Sequence, residues 1–232
     1  MWKYGRRLYL VILLAAVGMI QAQVPPPAPP ASAASQLAEK KPDYSKEAFL
    51  GEQDQTRIVF ENDGTGTRET TARVRIQSDA AIQRYGVLTF PYESGTQSLE
   101  IDYVRVRKPD GTVIASPPEN IQDMPAEITR QAPFYSDLRE KHVAVKGLSV
   151  GDVLETQTHW HTTKPLAPGQ FWLAFNFTHD AIVLDQELEI SVPRERDIKW
   201  KSPGYKPVIS DEGSRRVFAW KYSQLEQKPA DE

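Results

Sequence analysis

The sequence predicts an all-β chain: an antiparallel β-sandwich of about ten strands, set behind a signal peptide and a proline-rich spacer. Three observations predict it. From Thr56 onward, apolar residues tend to recur at every second position, the repeat of a half-buried strand. Short runs of Asp, Gly and Pro interrupt that alternation with turn chemistry. Eighteen prolines and 13 glycines among 232 residues leave few windows for an uninterrupted helix.

Residues 1–23 read as a secretory signal. Lys3, Arg6 and Arg7 make a positive start, and Leu8 to Ile20 is a run without charges. As a helix those 13 residues span about 20 Å, against a hydrocarbon core of ~30 Å, so a cleaved signal fits better than a membrane anchor. Cleavage is expected near Ala22 or Gln23. Losing the three cations takes the formal charge from −3 to −6, giving an acidic protein exported to the periplasm or beyond the cell. Membrane contact would then come only through an uncleaved signal. Residues 24–43 form a Pro/Ala-rich spacer, in which VPPPAPPASAA favours an extended polyproline chain. A short helix is expected around Ser45 to Gly51.

The folded body is expected over residues 44–222. Ile58 and Phe60 alternate with Arg57, Val59 and Glu61, and Asp63-Gly64-Thr65-Gly66 turns the chain. Ala72, Val74 and Ile76 give a dry face opposite Arg73, Arg75 and Gln77. The change of phase from Leu99, Ile101 and Tyr103 to Val104 and Val106 predicts a bulge. Lys108-Pro109-Asp110-Gly111 predicts a tight turn, with Thr112 to Ala115 returning antiparallel to Tyr103 to Arg107. Ser116 to Glu140 carries Pro117, Pro118, Pro125 and Pro133, too many for a central strand, and is expected to cross between sheets. His142 to Val145 and Val153 to Thr162 flank a turn at Gly147 to Asp152, read as a hairpin. Phe171 to Phe177 reads as a buried aromatic strand. Leu188, Ile190 and Val192, then Val217 to Tyr222, complete the series, and residues 223–232 read as a tail or the start of a linker.

The chain has no cysteine, which excludes disulfides, thiolate metal sites, a lipid-modified cysteine and a thiol nucleophile. The mild acidity gives no electrostatic case for nucleic acid, and no phosphate-cradling loop is present. Gly147-Leu148-Ser149-Val150-Gly151 matches the nucleophile-elbow pattern, but a strand rather than a helix follows, so the motif reads as a turn. His159 and His161 would share a strand face and could meet one metal ion, with His179 and Asp180 as the nearest further ligands. Glu187 and Glu189 share a face at roughly 7 Å, as the wet side of an amphipathic strand does. Asn176-Phe177-Thr178 matches a glycosylation acceptor. Tyr135, Asp137 and Arg139 fall in the irregular segment, where side chains can be presented to a partner; the plainer reading pairs Asp137 with Arg139. Trp200, between Lys199 and Lys201 and close to Tyr205, is the best candidate for an exposed contact patch.

Five strings in order also carry a resemblance. They are YSKEA at 44–48, VFENDGTG at 59–66, VRVRKPDGTV at 104–113, YSD at 135–137 and GLSVGDVLE at 147–155. Together they resemble the bacterial family called domain of unknown function 3857, over about Tyr44 to Tyr222. The resemblance implies a β-sandwich-like fold, export, and a place N-terminal to a transglutaminase-like domain. It implies no activity and no cofactor. A Cys-His-Asp domain follows in longer relatives, whereas this sequence stops at Glu232 and offers no cysteine to take that role. The expectation is therefore a non-catalytic module that binds protein or cell-wall peptide in the envelope, or orients a catalytic neighbour. The alternative is a hydrolase using carboxylates or a histidine-based metal site.

Overall fold

A computed structural model describes residues 42–131 and 137–226, with the side chains of 130 and 131 outside the description. The signal peptide, most of the spacer and residues 227–232 lie outside the described residues.

Eleven strands run through the described residues: β1 (Phe49–Phe60), β2 (Gly66–Ile76), β3 (Val87–Glu93), β4 (Gln97–Arg107), β5 (Val113–Ala115), β6 (Ile121–Pro125), β7 (Leu138–Ala144), β8 (Val153–Thr162), β9 (Val183–Pro193), β10 (Val208–Glu212) and β11 (Arg215–Gln224). Two short helices, α1 (Asp79–Tyr85) and α2 (Glu127–Gln131), interrupt them. Eight strands make one sheet in the order β10-β11-β9-β1-β2-β8-β4-β5, and β3-β7-β6 make a second. The all-β sandwich is as the alternation predicts. One ladder departs from the antiparallel rule: β1 lies parallel to β9, about 130 residues away in sequence.

The local chemistry explains the turns. Asp63 accepts from the Thr65 amide at 2.9 Å and its hydroxyl at 2.7 Å, and those bonds hold its carboxyl below the ordinary value. Gly111, at φ +89, closes the Lys108–Thr112 turn, and β5 returns on β4 with Val106 opposite Ile114. The predicted bulge is present: the β4–β8 register slips between Ile101 and Tyr103. Ser78 caps α1 by accepting from the Ala81 amide at 3.2 Å.

Three expectations are corrected. The chain around Ser45 to Gly51 is not a helix; β1 begins at Phe49 because this stretch pairs with both β2 and β9. Gly51 permits that close fit, since a Cβ there would lie 2.9 Å from Val183. The turn at Gly147–Asp152 does not close a hairpin, because β7 belongs to the small sheet and β8 to the large one. Phe171 to Phe177 forms no strand, since β1 occupies the place between β2 and β9 and leaves no free ladder there.

The Ser116–Glu140 segment does cross between sheets, and it supplies β6 at the edge of the small one with Pro125 at its end.

Register assigns the faces of the large sheet. Ile58, Leu188, Val192, Phe218 and Trp220 form one buried cluster on the inner face. Val104, Val106 and Leu154 form another with Val143 of β7. Between them the row Thr56–Thr70–Thr158 is threonine across three strands, with Thr56 and Thr158 buried. The Thr56 and Thr70 hydroxyls lie 3.3 Å apart and bond each other. The outer face is charged. There Glu155, 4% exposed, receives Arg105 at 2.7 Å and Arg107 at 3.0 Å, with Arg73 at 3.7 Å. Burial raises the Glu155 carboxyl, but the Arg107 and Arg105 bonds and charges outweigh it and hold it below the ordinary glutamate value.

Candidate functional site

The three-stranded sheet covers only the second apolar cluster. Over the first, two irregular segments, 171–179 and 198–205, lie across β1, β9 and β11. Pro165, Pro168 and Gly169 precede one, and Pro203-Gly204 interrupts the other, so neither continues as a strand.

Side chains hold these segments where ladders do not. Arg196 donates to the Asn62 carbonyl at 2.9 Å and to the Gly169 carbonyl, and its guanidinium lies 5.1 Å from the Phe171 ring centre. Phe171 stacks on Phe60 at 3.9 Å between centres. Gln186, 2% exposed on β9, accepts from the Thr178 amide at 2.7 Å and donates to the Thr178 carbonyl at 3.1 Å. Its amide thus replaces two ladder bonds.

A cavity of about 590 Å³ remains between these segments and the sheet. Leu188, Ile190 and Trp220 make its floor, and Phe175, Phe177 and Tyr205 line its walls. Trp172 and Trp200 stand at its mouth, 64% and 44% exposed. Trp200 meets Trp220 edge-on at 6.3 Å and 82°. The charged side chains in the lining are Lys199 and Lys201, neither with an ion-pair partner among the described residues; no carboxylate lines the cavity. Large apolar side chains with a few polar groups are the composition of a ligand site. They provide stacking and exclude water, and His179 and Ser202 stand among them.

A second hollow of about 400 Å³ shares Ile198 and Trp200 with this cleft. It continues to Ile209, Ser210 and Asp211 of β10, the outermost strand.

Of the residues singled out in sequence, Trp200 and Tyr205 come together in the cleft. Tyr135 lies outside the described residues. Asp137 and Arg139 do not line the cleft, and they do not pair. Arg139 on β7 donates to Asp123 on β6 at 2.9 Å, and Tyr92 of β3 donates to the same carboxylate at 2.7 Å. This polar triad ties the three strands of the small sheet. Asp137 is exposed, and its carbonyl accepts from the Ser94 amide and hydroxyl, both at 2.8 Å.

His159 and His161 do share a face, with ring centres 6.4 Å apart. However, the two nitrogens of His159 face Asp102 at 2.6 Å and Glu69 at 3.3 Å. His179 packs on Tyr222 of the inner face, four strands and ~19 Å away across the sheet. It cannot serve as their third ligand. Among the described residues no three His, Asp or Glu side chains are arranged to hold a metal. The Ser149 amide donates to Asp152 at 2.7 Å, and β8 follows directly, without the helix an elbow needs. Glu187 is bound by Lys221 at 3.1 Å and Gln55 at 3.2 Å, and Glu189 by Arg57 at 2.8 Å. They are the wet side of β9.

The alternation of Phe171, Leu173, Phe175 and Phe177 concealed the second wall of the cleft, because it imitates a strand. The preceding Pro168-Gly169 was the signal against a strand.

A family model described as a domain of unknown function with solved structure, DUF3857, matches residues 62–229. The chain belongs to the DUF3857 family. This DUF3857 chain also shares its fold with a crystal structure of a "putative protease" from Parabacteroides distasonis, at TM-score 0.69 and 19% identity. That match covers 79% of this chain and 37% of the other. An M1 zinc metallopeptidase from Deinococcus radiodurans matches at TM-score 0.38 and 8% identity, over 76% of this chain and 39% of the other. The DUF3857 chain thus spans under two-fifths of the length of either solved protein. None of the curated proteins matches the sequence.

Proposed function

We propose that this DUF3857 domain is an exported, non-catalytic binding module. Its aromatic cleft takes a partner protein or a cell-wall peptide and can orient a catalytic neighbour such as a transglutaminase-like domain. The observation that carries the reading is the cleft itself. Two tryptophans stand exposed over a buried aromatic floor, and the lining contains no carboxylate to act as acid or base. Exposed tryptophan is costly to keep in water and common at the centre of binding surfaces. Absence of cysteine supports the non-catalytic part, since the nucleophile of transglutaminase-like enzymes has no counterpart here. The charged N-terminus followed by a short apolar run supports export.

Tryptophan fluorescence and amide chemical shifts, followed during titration with soluble wall peptides and envelope protein fragments, test the binding. Saturable changes at Trp172 and Trp200 are expected, and Trp200→Ala should abolish them. A parent protein that hydrolyses such fragments would overturn the non-catalytic part. N-terminal sequencing of protein from the periplasm checks export, with a new end expected near Gln23.

A further inference from the structure

Resting on that reading, we infer that the cleft is built for an acidic peptide with a large apolar anchor, lying extended from the aromatic cavity to the free edge of β10. Three observations converge. First, the cavity lining has two lysines and no carboxylate, although the whole chain carries more acids than bases. Lys199 and Lys201 flank Trp200, so an anchor against that ring brings neighbouring acidic groups within reach of both ammonium groups. The adjoining hollow adds Arg196 and Arg216 against Asp197 and Asp211, leaving the combined lining positive.

Second, the floor of the site is apolar and aromatic, with Leu188, Ile190 and Trp220 beneath Phe175 and Phe177. A sugar needs partners for its many hydroxyls, whereas a Trp, Phe or Leu side chain needs only burial. Third, the second hollow leads from Trp200 to β10, and β10 has no strand on its outer side among the described residues. All five of its residues are exposed, with Val208 at 74% and Ile209 at 49%. A peptide can pair its backbone with such an edge, and a sugar cannot. The acidic groups select and steer, and the anchor supplies the contact area.

The test is selection of random 12-residue displayed peptides on the full chain, followed by affinity measurement of the enriched sequences. Enriched peptides are expected to be net negative around one aromatic or long aliphatic residue. Trp200→Ala should abolish their binding. The double substitution Lys199→Glu with Lys201→Glu should weaken it about tenfold or more, and 0.5 M salt should weaken the parent complex as well. Enriched peptides that depend on Trp200 but are neutral or basic, or that ignore the lysine changes, would overturn the acidic preference and leave the cleft reading standing. Selection of no Trp200-dependent peptide would overturn both. Capture of uronic-acid oligosaccharides by the cleft in place of peptides would overturn the peptide assignment alone.

Discussion

One sheet carries two different coverings on its inner face. Over Val104, Val106 and Leu154 lies the three-stranded sheet, whose Val143 completes a closed cluster. Over Ile58, Leu188, Phe218 and Trp220 lie segments 171–179 and 198–205, without ladders of their own. A sheet on a sheet holds a regular spacing of ~10 Å, and side chains of both layers interdigitate across it. Irregular segments instead rest on individual anchors such as Arg196 and Gln186, and here they leave about 590 Å³ open. The regular half serves packing, and the irregular half is available to a ligand.

The largest expected effect tests the closed half. Leu154→Ala removes a buried side chain beneath a covering that cannot collapse, and should cost about 3 kcal/mol in urea unfolding. Binding in the cleft should remain. A loss no greater than that of Trp200→Ala would dissolve the distinction between the two coverings.

Glu155→Gln comes next, at about 2 kcal/mol, because it strands Arg105 and Arg107 around a neutral amide. Those arginines are 35% and 39% exposed, so water screens part of the loss. The folded carboxyl titrates below its ordinary 4.5. Its stabilisation is therefore complete above that pH and fades as pH falls through the lowered folded value. The gap between the parent and Glu155→Gln in urea titrations should therefore narrow as the pH is taken down from 4.5.

Gln186→Ala should cost about 1.5 kcal/mol and act on the open half, since it frees both backbone groups of Thr178. Hydrogen exchange should quicken around Phe175 to His179 and leave the amides of β6 and β7 unchanged. Equal acceleration in both places would mean that the coverings open together. Trp200→Ala should cost under about 1 kcal/mol, because the ring is 44% exposed, while removing ligand binding.

The sequence made these two halves legible to different degrees. The strands of the large sheet announce themselves through Ile58, Ile76, Val106 and Leu188, because burial on one face leaves a repeat of two. The turn at Gly111 and the bulge near Asp102 are also local, and both were readable. Strand β1 beside β9 was not, since a ladder between residues so far apart leaves no mark in either stretch. Nor was the fate of Phe171 to Phe177, whose alternation suits a strand that the topology does not admit. Trp200 and Tyr205 were found because the charged residues beside Trp200 marked it as exposed. Trp172 was assigned to the core for the opposite reason, its apolar neighbours. Ser78-Asp79 before Ala80-Ala81 was an unread cap for α1.

The smallest effect lies at the seam between the coverings and has the opposite sign. Asp54 shares its register row with Gln186 on one side and Ala72 on the other. Burial raises its carboxyl, and the Arg68 charge offsets only part of that. A carboxyl raised in the folded state binds protons that the unfolded chain has already released. Stability is therefore lost as pH rises from the ordinary 3.8 through the folded value, and the loss persists above it. Asp54→Asn removes that cost and should stabilise the protein by about 0.5–1 kcal/mol at pH 7, with no change at pH 3. Arg68 limits the gain, because burial already disfavours its charge and Asp54 is what supports it. Destabilisation at pH 7 would show that the Asp54–Arg68 pair holds the two halves together, and that the seam is a joint rather than a gap.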